Sequence, residues 1–137
     1  MSDLNRFLHA QQGDYEIALT EIKAGRKRSH WMWYIFPQIA GLGYSDMAKC
    51  YAIKDLAEAA DYLAHPILGK RLKEITAALL DLDTNNATQL MGSPDDLKLR
   101  SSMTLFALVE GNESVFDAVL KKFFDGHKDP ATLQLVR

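Results

Sequence analysis

Three consecutive cations, Arg26-Lys27-Arg28, stand directly before Ser29-His30-Trp31-Met32-Trp33-Tyr34-Ile35-Phe36-Pro37-Gln38, and that run holds both tryptophans of the chain. If Ser29 caps a helix, the basic side chains gather at its N-terminal end, beside backbone N–H groups without helical partners. Cations there oppose the helix dipole by roughly a few tenths of a kcal/mol each. A bound anion relieves that conflict, and Arg28 can fork onto a carboxylate or a phosphate. The expectation is a ligand site built from Arg26, Arg28, His30, Trp31 and Trp33, joined by Arg71 from another helix. Aromatic rings beside guanidinium groups suit a planar, phosphorylated, nucleotide-like molecule such as an ADP-ribose derivative. The same residues have a plainer use, as a solvated basic turn leading into buried core.

Chemistry at such a site needs a proton carrier. His30 is the first candidate, because an imidazole titrates near neutrality, and the arginines would stabilise developing charge. His65 is a second candidate, although it also stands before Pro66, where it can cap a helix. Lys98 precedes Ser101 and Ser102 by one helical turn, the spacing of a Ser/Lys nucleophile pair, which works only if the lysine is desolvated. A solvated polar face, or an ion pair of Lys98 with Asp96, is the structural alternative. His9, His30, His65 and His127 show no ligand spacing, so no metal is expected. Gly41-Leu42-Gly43 lacks the rest of a dinucleotide fingerprint and reads as a turn, and no cofactor is expected. The single cysteine, Cys50, falls in a stripe with Met47 and Tyr51 and reads as a small buried hydrophobe.

Helices must position these groups, because apolar residues recur at helical spacing almost throughout. Tyr15, Ala18, Leu19 and Ile22 share a face behind Asp14, which is read as a cap, and Gly25 ends that segment. Ser45 caps the next. Leu56, Ala59, Ala60 and Leu63 precede His65, and Pro66 opens a long helix through Leu68, Leu72, Ile75 and Leu79. Ser93-Pro94-Asp95-Asp96 is a strong start signal for a helix from Pro94 to about Glu110. Asn112 and Asp129 are read as the last two caps. The run Trp31 to Ile35 is apolar on every side and is taken as a buried helix. The architecture expected is all-α, a compact bundle of about six to eight short helices in one domain, 1–137.

Composition bounds the function. The chain has 137 residues, of which 47% are hydrophobic and 25% charged, a globular balance that excludes disorder. Sixteen Lys+Arg against eighteen Asp+Glu leave a net charge of -2, which argues against a dedicated nucleic-acid or membrane-surface binder. One cysteine fits a reducing cytoplasm. No apolar run is long enough to span a membrane, and Met1-Ser2-Asp3-Leu4-Asn5-Arg6 lacks the marks of a signal peptide. Three functional classes stay open. The first is binding of an anionic small molecule near the tryptophan motif, and the second a protein-interaction module with an exposed Trp/Arg patch. The third is single-strand nucleic-acid binding, which the charge balance argues against.

The motif Arg26 to Gln38 resembles the signature of a bacterial family, domain of unknown function 1810, whose members are often named calpastatin without support. The resemblance continues through Met47-Ala48 with Tyr51, His65-Pro66-Ile67-Leu68-Gly69-Lys70-Arg71-Leu72 and Asp96 to Phe106, and ends with Gly126 and Asp129 through Thr132-Leu133. It therefore covers nearly the whole chain. It implies an all-helical fold and no particular activity.

Overall fold

The computed structural model describes residues 3–136. Met1 and Ser2, part of the stretch read for a signal peptide, and Arg137 lie outside the described residues. The helices are α1 (Asn5–Gln11), α2 (Asp14–Lys23), α3 (Met32–Ile35), α4 (Asp46–Cys50) and α5 (Leu56–Ala64). They continue as α6 (Leu68–Leu80), α7 (Ala87–Met91), α8 (Asp95–Glu110), α9 (Val115–Phe124) and α10 (Pro130–Leu135). Six of these ten have seven residues or more, and the others are short turns of helix. The all-α class is as expected.

α8 runs through the centre, packed by α5, α7, α9 and α10. From Ser101 to Ala107 every residue is buried, so the helix is covered all round rather than along one stripe. A chain of rings crosses the core beside it. Phe7 meets Tyr62 edge-on at 5.1 Å between centroids, and Phe106 lies 5.6 Å from both Tyr62 and Phe116. α5 and α6 approach so closely that a Cβ on Gly69 would stand 2.0 Å from the Leu63 carbonyl oxygen. Only glycine fits there.

Ser45 and Asp129 cap α4 and α10 as expected, accepting from the N–H groups of Ala48 and Thr132. His65 caps the start of α6, its Nδ1 accepting from the N–H groups of Ile67 and Leu68 at 3.1 and 3.2 Å. Other ends differ from expectation. Asp14 is not a cap, because its carboxylate accepts from the Tyr34 hydroxyl at 2.6 Å and Gly13 holds the cap position. Ser93 does not cap α8, whose first turn is closed by the Pro94 carbonyl and the Asp96 side chain. Ser114, rather than Asn112, caps α9. Cys50 is exposed instead of buried, because α4 is a five-residue helix that buries none of its side chains.

Candidate functional site

The basic turn at residues 26–30 is closed by an anion from the chain itself. Glu21, in the last turn of α2, accepts from the Arg28 N–H at 2.7 Å and the Ser29 N–H at 2.9 Å. It also accepts from the Ser29 hydroxyl at 2.5 Å and the Trp31 indole N–H at 2.9 Å. Burial works to raise the Glu21 pKa, but the bonds from Ser29, Arg28 and Trp31 outweigh it and hold the carboxyl down at about 2. Ser29 is therefore not a helix cap. It is spent on Glu21, and α3 starts at Met32 without a side-chain cap.

Lys27 ties this turn to α8. Its ammonium contacts Asp95 Oδ2 at 2.9 Å, donates to the Ser29 carbonyl at 2.5 Å and stands 5.0 Å from the Trp31 ring centroid. Only 8% of its side chain is exposed. Asp95 also meets Lys98 at 3.5 Å, so one carboxylate serves two lysines and the shorter contact belongs to Lys27.

Beyond this knot a cleft of about 340 Å³ opens. One wall is Pro94, at the cap position of α8, with Leu97, Lys98 and Ser101 of that helix, at helical spacings of three and four. The opposite wall is the loop after α3, held by a parallel bridge between Ile39 and Ile53. Ala40 donates to the Ile53 carbonyl and Ile53 to the Gln38 carbonyl, each at 2.8 Å. Gly41 and Gly43 line the cleft without side chains, so the wall there is bare peptide. A Cβ on Gly43 would stand 2.6 Å from that of Ala48, which fixes glycine where α4 closes against the loop. Half-buried Trp33 contributes its ring, with the Lys98 ammonium 5.4 Å from the centroid. Among the described residues nothing accepts from the Trp33 indole N–H.

Asp129 and Ser101 share one corner of the cleft. Asp129 Oδ2 accepts from the Ser101 hydroxyl at 3.0 Å and from the Thr132 hydroxyl at 2.6 Å, and Oδ1 faces Arg100 at 3.4 Å. Burial opposes ionisation of Asp129, yet the bonds from Thr132 and Ser101 with the Arg100 charge lower its pKa. A carboxylate held charged in this way is a weak base, so this group anchors α10 on α8 rather than activating Ser101.

The structure thus gathers part of the expected set and scatters the rest. Trp33 and Lys98 meet in the cleft, whereas Trp31 is 1% exposed and belongs to the core. Arg26, Arg28 and His30 are exposed and line no part of the cleft. Arg71 lies at a separate shallow hollow with His9 and Gln12, donating to Gln11 Oε1 at 3.2 Å with its guanidinium 5.3 Å from the Tyr15 centroid. His65 is occupied as a cap, and Ser102 is fully buried with its hydroxyl unpartnered. No group of His, Cys, Asp and Glu among the described residues is arranged to hold a metal. Lys49, Asp129 and the glycine loop as cleft residues, and Glu21 as internal anion, were missed. Glu21 did leave a signal: an acid in the last turn of a helix opposes the dipole and needs donors from elsewhere.

A family model described as "Protein of unknown function (DUF1810)" matches residues 1–136. The chain belongs to this family. The DUF1810 fold here is similar to the crystal structure of the conserved hypothetical protein Rv1873 from Mycobacterium tuberculosis, at 46% identity and a TM-score of 0.94. The similarity covers 98% of this chain and 96% of that one. No curated protein matches the chain. No described helix of this DUF1810 domain is long and apolar enough to cross a membrane.

Proposed function

We propose that the domain binds a small organic anion in the cleft beside Trp33. The observation that carries this reading is the meeting of a half-buried tryptophan and the Lys98 ammonium inside a concavity otherwise lined mostly by apolar side chains and bare peptide. Cleft volumes of roughly 300 Å³ and above are typical of small-molecule sites. Local charge favours an anion. Asp95 is balanced by Lys27 and Asp129 by Arg100, so Lys98 and exposed Lys49 are the cleft cations left in excess. The expected ligand stays anionic while its place moves from the Arg26–His30 turn, where Glu21 already fills the role.

Thermal unfolding with a panel of aromatic carboxylates, sugar phosphates and nucleotides tests the reading. A ligand at a hundredfold its dissociation constant adds about 2.7 kcal/mol and raises the midpoint by several degrees. The shift is expected to vanish in Lys98→Met and to survive Arg28→Ala. Loss in Arg28→Ala alone would return the site to the basic turn.

Protein interaction is the second reading, favoured by the exposed apolar side chains Tyr44, at 85%, and Leu97, at 54%, at and beside the cleft. Tyr44→Ser separates the two: it spares small-ligand binding in the first and removes an anchor in the second. Single-stranded nucleic acid has the least support, because the two tryptophans do not form one stacking surface. We place the domain in the cytoplasm, where exposed Cys50 would stay reduced.

A further inference from the structure

We infer that the cleft selects a monocarboxylate with an apolar body and discriminates against phosphate monoesters, nucleotides included. The inference rests on the cleft being the ligand site. Its first ground is the kind of cation present. Among the described residues no arginine lines the cleft, and Arg100 faces Asp129 instead. A guanidinium fork grips two oxygens of a phosphate at once, whereas a lysine offers a point charge without that bidentate geometry.

The second ground is a fixed negative charge in the wall. Asp129 lines the cleft, and Arg100, which faces it at 3.4 Å without lining the cleft, offsets its charge only in part. A dianion gains twice the attraction to Lys98 and Lys49 and meets twice the repulsion from Asp129. Its desolvation cost rises with the square of its charge, so the doubled net attraction does not repay it. Thirdly, Lys98 is available at little cost. When it turns to a ligand carboxylate, Asp95 keeps Lys27 at 2.9 Å and is not left unpaired. The Trp33 ring face lies beside that ammonium and offers the ligand's body a flat apolar surface. Finally, most of the remaining side chains are apolar, with Ile39, Leu42, Ala48 and Leu97 prominent beside Gln38, Tyr51 and Lys49. The Ser101 hydroxyl proton is already committed within the protein and is not free to bond a sugar hydroxyl.

The test compares three molecules with one body and different heads: phenylacetate, phenyl phosphate and 2-phenylethanol, at equal concentration and about pH 7.5, where the phosphate is mostly a dianion. The readout is the rise in unfolding midpoint of the intact protein. Phenylacetate is expected to give the largest rise, with phenyl phosphate and the alcohol each at least about threefold smaller. Near pH 5 the phosphate is largely a monoanion and its deficit is expected to shrink. Asp129→Asn, which keeps a capping side chain, is expected to shrink it at pH 7.5; the pH arm serves if that variant fails to fold. Phenyl phosphate matching phenylacetate at pH 7.5 overturns the inference and leaves the cleft intact as a site. The alcohol matching it removes the carboxylate requirement. No rise with any of the three overturns the cleft reading itself.

Discussion

Four donors converge on the Glu21 carboxylate, and their loss has a readable size. Glu21→Gln keeps an acceptor oxygen but loses the charge and places an NH₂ group against N–H donors. It is expected to cost about 2 kcal/mol, measured by urea unfolding. The pH dependence follows with its sign. The folded pKa, about 2, lies below the ordinary 4.5, so the contribution is complete above about pH 4.5 and is lost as pH falls toward 2. The wild-type protein is therefore expected to lose more stability across that window than Glu21→Gln, and equal losses would contradict the assignment. At this scale the run Arg26 to Trp33 announced that an anion belongs beside it. Whether the anion came from a ligand or from a side chain five residues upstream of the cations was not legible, because that depends on how α2 meets the turn.

Among elements, the junction of the basic turn with α8 rests on Lys27 and Asp95. Asp95→Ala leaves a mostly buried ammonium without its carboxylate and is expected to cost about 3 kcal/mol. Lys98→Ala removes the longer, more exposed contact and is expected to cost less than about 1 kcal/mol, since Asp95 retains Lys27. Equal costs in urea titrations would show that Asp95 acts through Lys98 rather than through Lys27. Gly69→Ala forces a methyl group into the Leu63 carbonyl and is expected to cost at least about 3 kcal/mol, because neither backbone can yield freely. Helix identity was legible from apolar spacing, and caps such as Ser45 and Asp129 from residue type. Asp14 and Ser93 read as caps for the same reason, yet long-range partners decided otherwise. Tyr34 claims Asp14 from twenty residues away, and no local pattern carries that.

Across the whole molecule, one continuous core built round α8 places the cleft at its edge, between the first half of α8 and the loop joining α3 to α4. The all-helical class was legible because amphipathic spacing is local. The cleft was not, because its walls lie about sixty residues apart in sequence: the Ile39–Ile53 bridge shapes one of them, and the Lys27–Asp95 pair and the Lys98–Trp33 contact tie that part of the chain to α8. The cleft's role as an anion site is the central claim, and the two tryptophans test it directly. Trp31 gives its indole N–H to Glu21 within the core, while Trp33 faces the cleft beside Lys98. In a ¹H–¹⁵N spectrum they give two indole signals, assigned with Trp33→Phe. Titration with phenylacetate is expected to move the Trp33 signal saturably and leave that of Trp31 in place. A stationary Trp33 signal, with shifts gathered instead on Arg26, Arg28 and His30, would contradict the claim and put the anion site back on the basic turn.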